Sequence, residues 1–136
     1  MYKQVYLNRG KEESLLRFHP WIFSGAINRI DEGLEEGDIV RVMTHDNRFI
    51  AVGHFQIGSI SVRVLSFHDI EIDDEFWCSR LSTALQVRNA IGVIRRSGAA
   101  KEGYPNTTYR LVHGEGDNLP GLVIDIYGTT AVMQAH

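Results

Sequence analysis

The hydrophobic pattern of this chain changes period once, near Asp73, and that change limits the folds open to it. Before it lie short β-prone runs at residues 3–7, 26–30, 39–43, 49–55 and 60–65. In the last of these Ile60, Val62 and Val64 alternate with Ser61 and Arg63, the period of two that marks a half-buried strand. Asp31-Glu32-Gly33, Glu36-Gly37-Asp38, His45-Asp46-Asn47 and Ile57-Gly58-Ser59 supply tight connections. Five short strands joined this way predict a small barrel-like sheet. Residues 19–23 read as an aromatic-rich turn around Pro20, with Trp21 and Phe23 expected in the core.

From residue 74 to 97 the spacing becomes helical. Trp77, Leu81, Ala84, Leu85, Ile91 and Ile94 fall three and four residues apart along one stripe. Asp73, Asp74 and Glu75 suit the start of that helix, Arg95 and Arg96 its end, and Gly98 its termination. A loop over residues 98–107 is followed by strands at 109–112, 122–126 and 130–134, with turns at Asp117 to Gly121 and at Tyr127-Gly128. The fold class expected is therefore α+β. One helix and three strands leave a sheet edge and a helix face without cover. Residues 70–136 are accordingly expected to open a second domain that continues past His136. The alternative is a complete fold that buries the edge in a homodimer.

Hydrophobic residues at 43% and charged residues at 23% describe a chain able to pack a core rather than a disordered tail. Fourteen Lys and Arg against seventeen Asp and Glu, a net charge of −3, do not announce nucleic acid. The distribution says more. Residues 1–30 carry Lys3, Arg9, Lys11, Arg17 and Arg29 against only Glu12 and Glu13, so positive charge gathers where a phosphate backbone could be met. The single cysteine, Cys78, permits no internal disulfide and suits a reducing, cytoplasmic setting. No apolar run approaches the ~20 residues of a membrane helix, and the first residues lack an apolar signal core.

Arg9, Lys11, Arg17, His19 and Arg29 surround the Arg17-Phe18-His19-Pro20-Trp21 turn and are the candidate RNA-binding set. Arg41, Arg48 and Arg63, on strands or at a hairpin tip, could extend that face, although each alone reads more readily as a solvated strand residue. Glu115, Asp117 and Asp125 invite comparison with paired carboxylates for acid–base work, as in a free-standing hydrolase using Glu115 and Asp117. Asp117 is better read as a turn residue whose side chain caps backbone amides ahead of Pro120-Gly121. The six histidines show no ligand spacing with one another or with Cys78, so no metal site is expected. Cys78 itself reads as a packed or half-exposed thiol.

Three stretches resemble one family. Residues 9–27, RGKEESLLRFHPWIFSGAI, are similar to the opening of the PUA domain in bacterial ribosomal RNA large-subunit methyltransferases of the RlmI type. Residues 37–40 (GDIV) and 50–53 (IAVG) are similar to later strands of that domain, and residues 109–125 (YRLVHGEGDNLPGLVID) to the start of the family's central domain. The resemblance implies a PUA-like RNA-binding domain over residues 1–68 and the first part of a central α/β domain over 69–136. It implies a parent enzyme that uses S-adenosylmethionine to methylate carbon 5 of a cytosine in large-subunit ribosomal RNA, in the cytoplasm and with no membrane association.

The chain departs from that family in lacking a glycine-rich strand-to-helix loop with a following acidic residue, and a cysteine placed to attack a pyrimidine. On its own it is expected to be catalytically silent, with no catalytic residues and no cofactor of its own. Its expected role is to bind and position ribosomal RNA. The competing role is a protein-interaction or dimerisation module without RNA contact.

Overall fold

The computed structural model describes residues 1–94 and 107–136, which form two compact units, Met1–Ile72 and Asp73–His136. The architecture is α+β. The first unit holds strands β1 (Lys3–Leu7), β2 (Trp21–Phe23), β3 (Ile27–Ile30), β4 (Ile39–Met43), β5 (Phe49–Phe55) and β6 (Ile60–Ser66), and one short helix, α1 (Glu13–Leu16). They make one sheet in the order β2-β6-β5-β4-β1-β3, antiparallel throughout except where β1 runs parallel to β4.

The two outermost strands of that sheet, β2 and β3, are consecutive in the chain and joined by a single 3-10 turn, Ser24–Ala26. A flat sheet cannot bring its two edges within three residues, so the sheet must curl toward closure. Hydrogen bonds from Asn8 N to Ala26 O and from Ser24 N to Ser59 O tie the closing turn to both sides. Inside the curl pack Val5, Leu7, Ile22, Val40, Val42, Ala51, Phe55, Val62 and Val64. Leu15, the one buried residue of α1, joins the same cluster at 2% exposure. Burying such a side chain is worth about 1.5–3 kcal/mol, enough to hold a helix too short to persist alone.

Two expectations need correction here. The aromatic turn at residues 19–23 is largely strand β2, a sixth strand that pairs with β6. Trp21 and Phe23 are not core residues: only Ile22, at 3% exposure, points inward, while Trp21 is half-buried and Phe23 is 49% exposed. The reason is the strand's own period of two, which sends Ile22 and its neighbours to opposite faces.

In the second unit α2 (Asp74–Ala90) packs on the antiparallel sheet β7 (Thr108–His113), β8 (Leu122–Tyr127) and β9 (Thr130–Ala135), in the order β7-β8-β9. Asp73 caps the helix, its carboxylate accepting from Phe76 N at 2.9 Å. The helix stops at Ala90, earlier than expected, and Gly92 follows at φ 76°. The expected Arg95, Arg96 and Gly98 terminus lies outside the described residues. Ala84, Val112, Leu119 and Ile124 form the core, with Trp77 and Leu81 packed on it. Leu85 and Ile91 of the expected stripe are exposed, because the buried positions of α2 are Phe76 and Ala84.

Candidate nucleic-acid interface

Strand β2 and His19 just before it present three rings in mutual contact. The centroids of His19, Trp21 and Phe23 lie 6.2, 6.4 and 6.5 Å apart in pairs, and Nδ1 of His19 lies 3.3 Å from Trp21 N, whose N–H it accepts. Across the ladder Trp21 pairs with Arg63 of β6, and Arg63 pairs in turn with His54 of β5. Directly opposed residues share a face, so this row crosses the outside of the curl. Arg63 lies over the indole, its guanidinium carbon 5.3 Å from the ring centroid, while its Nε donates to Gln56 Oε1 at 2.8 Å.

Beside the rings a cleft of about 330 Å³ is lined by Lys11, Leu15, Trp21, Ile22, Phe23 and Gly25. A side chain at Gly25 would meet nothing within 4 Å, so the glycine leaves the cleft mouth open. Lys11, together with Arg9 and Arg17 in the turns flanking α1, is exposed. Among the described residues these three side chains make no hydrogen bond or ion pair.

Of the eight basic residues singled out by sequence, Lys11, His19 and Arg63 thus meet around one ring-lined surface, with Arg9 and Arg17 close to it in the chain. The others stand elsewhere. Arg29 of β3 stacks 3.6 Å over the ring of Tyr6, its partner on β1. Arg41 is bound to the carboxylate of Asp69, with Nε at 3.2 Å, and Arg48 to Asp46 at 3.2 Å. Sequence reasoning placed Trp21 and Phe23 in the core rather than on the surface, and it missed Gln56. The alternation of buried Ile22 between two aromatics was the available signal.

The turn between α1 and β2 is strained. Phe18 N donates to Leu15 O at 2.9 Å and His19 N to Ser14 O at 3.1 Å, a Schellman closure that puts Phe18 in the left-handed region at φ 62°. Glycine normally takes that position, and a residue with a Cβ gives up about 1–2 kcal/mol there. Burial does not repay the difference, since Phe18 is 73% exposed and touches Phe67 only edge to face, at 5.3 Å.

In the second unit Asp117 and Asp125 are each held by an arginine. Asp117 forms a two-pronged ion pair with Arg88, Nη2 at 2.8 Å, and accepts from His113 N at 2.7 Å. Burial pushes its carboxyl up, and Arg88 with the His113 amide more than offsets that, holding it below the usual carboxylate range. Asp125 is held down chiefly by its hydrogen bond from Arg110, Nε at 2.8 Å. With its oxygens on Arg88 and the His113 amide, Asp117 is not free to pair with Glu115 as the hydrolase alternative requires. No cluster of three potential metal ligands occurs among the described residues.

Nor do these residues fit S-adenosylmethionine. Gly114-Glu115-Gly116-Asp117 follows strand β7, but it forms a 3-10 turn leading into β8. No helix N-terminus follows this turn to meet a cofactor's phosphate or carboxylate.

Residues 5–67 match the family described as PUA-like domain. Ribosomal RNA large subunit methyltransferase I of Salmonella paratyphi B is 38% identical over 135 residues, which is 98% of this chain and 31% of that protein. The protein of the same name from Salmonella newport matches to the same extent, so the chain spans about a third of the length of these curated relatives. Among solved structures, one assigned as a SAM-dependent methyltransferase from Streptococcus mutans superposes with a TM-score of 0.72 at 15% identity, over 96% of this chain and 32% of that one. Another, assigned as a methyltransferase and solved in complex with SAH, gives 0.71 at the same identity, over 96% of this chain and 31% of that one. At that identity the likeness shows the fold alone. Over residues 5–67 this chain is thus similar to the PUA-like domain family, and along nearly its whole length to ribosomal RNA large subunit methyltransferase I.

Proposed function

We propose that this chain holds ribosomal RNA for a SAM-dependent methyltransferase, with methyl transfer to cytosine carbon 5 carried out by parts of the enzyme outside these 136 residues. The observation that carries the reading is the surface where His19, Trp21 and Phe23 meet Lys11 and Arg63 beside an open cleft. Aromatic faces stack on unpaired bases and neighbouring cations take the phosphates, a combination suited to single-stranded RNA rather than to a duplex groove. Arg9 and Arg17 supply further phosphate contacts, while Arg29, Arg41 and Arg48 lie outside the central surface. The relatives' name, a methyltransferase of large-subunit ribosomal RNA, supports ribosomal RNA as the partner and the cytoplasm as the setting. No described helix is long and apolar enough to cross a membrane.

The test is an electrophoretic shift with large-subunit ribosomal RNA fragments at several salt concentrations. Binding is expected to weaken steeply as salt rises. Joint reversal of Lys11→Glu and Arg17→Glu is expected to abolish it while the circular dichroism spectrum stays unchanged. Binding that survives the reversal, or no binding by the folded wild-type chain, refutes the reading.

A further inference from the structure

The strained turn at Phe18 adds something the basic set does not. A large apolar ring is held outward, in a backbone conformation that favours glycine, between an exposed cation at Arg17 and the first of the contacting rings at His19. The fold gains little from it. The inward anchor of this segment is Leu15, and among the described residues the ring meeting Phe18 is Phe67, edge to face. Strain that packing does not repay collects where a ligand is met.

We propose that Phe18 is itself an RNA-binding residue, whose exposed face stacks on an unpaired base while Arg17 holds the adjoining phosphate. This rests on the RNA-holding reading above and narrows its ligand: the RNA is single-stranded where it crosses the α1–β2 turn, and one of its bases lies on Phe18. The closed Schellman hydrogen bonds fix the ring's position before RNA arrives, so little ordering entropy is lost on stacking.

The decisive comparison is Phe18→Gly against Phe18→Leu and Phe18→Trp in the whole chain. Affinity is read by fluorescence anisotropy on an unpaired ten-nucleotide RNA and on the same sequence in a duplex, and stability by thermal unfolding. Phe18→Gly is expected to unfold at the same or a higher temperature, because the backbone strain is relieved, and yet to bind the unpaired RNA about tenfold more weakly. Phe18→Leu, apolar but without a π face, should lose most of the same affinity, and Phe18→Trp should keep it. Duplex binding is expected to be weaker than binding of the unpaired RNA and to change less than twofold in all three. If Phe18→Gly or Phe18→Leu binds the unpaired RNA as the wild type does, while Lys11→Glu with Arg17→Glu does not, Phe18 has no stacking role and the broader reading stands. If wild-type chain fails to bind either RNA, the broader reading falls and takes this one with it.

Discussion

Arg63 lies over Trp21 with its guanidinium carbon 5.3 Å from the indole centroid, while its Nε donates to Gln56 Oε1 at 2.8 Å. Together they make a rigid tile of π surface and positive charge on adjoining strands. Removing the indole is expected to cost about 1–3 kcal/mol of RNA binding, roughly the worth of one stacked base. Trp21→Ala should therefore bind unpaired RNA at least several-fold more weakly by anisotropy. In a Trp77→Phe background the remaining Trp21 fluorescence should quench on adding RNA. An unaltered emission at saturating RNA counts against the rings as the binding surface.

The basic residues should separate into two classes by their salt dependence. Each phosphate neutralised on a single strand contributes about 0.7 to the slope of log K against log salt. Lys11→Ala and Arg17→Ala should each flatten that slope by about this amount. Arg48→Ala should leave it unchanged, because Asp46 already neutralises that side chain. Equal flattening by all three would place the RNA over a different face.

The cleft offers a test that spares charge and rings alike. Gly25 has open space where a Cβ would stand. Gly25→Leu should fill the cleft mouth with a stability change within about 0.5 kcal/mol, as for other surface positions. RNA affinity should nevertheless fall at least fivefold in the same anisotropy assay. A variant that binds normally would mean that the cleft holds no nucleotide.

Much of the first unit was legible because its strands are short and evenly punctuated: β1, β4 and β5 fall at the residues their patterns predict. Strand β2 was hidden by His19-Pro20, which reads as a turn, and by the habit of placing Trp and Phe inside. The state of each arginine was legible only in part. Arg48 finds Asp46 two residues away, whereas Arg41 finds Asp69 twenty-eight residues on, a pairing only the fold creates. In α2 the apolar stripe over-counted, since Leu85 and Ile91 look like core yet stand exposed while little Ala84 is buried.

Gly53 connects fold and site. A Cβ there would stand 2.5 Å from Arg63 O and 2.8 Å from Val62 Cγ1, so β5 and β6 approach too closely for any side chain. Neither neighbour can yield, one being backbone and the other core. Gly53→Ala should destabilise the first unit by about 1–3 kcal/mol, as overpacking does. It should also shift β6 enough to move Arg63 off Trp21. Chemical denaturation followed by Trp21 fluorescence in the Trp77→Phe background checks both, and a midpoint equal to the wild type's would contradict the close approach.

The Arg88–Asp117 pair predicts how the second unit meets acid. Both side chains are largely shielded, at 14% and 8% exposure, so removing one charge strands the other, at about 3 kcal/mol or more. The Asp117 carboxyl titrates lower in the folded chain than the value near 3.9 expected when unfolded. The unfolded chain thus takes up its proton first as the pH falls. The stabilisation is complete above about pH 4 and drains away as the pH drops toward the folded value. Asp117→Asn lacks this charge at every pH. Its second unit should be weaker than the wild type's at pH 7, with the gap closing below pH 4. Urea unfolding followed by Trp77 fluorescence in a Trp21→Phe background, at pH 7 and pH 3, measures both. A gap of the same size at the two pH values would show that the Arg88 pairing is not what lowers the acid.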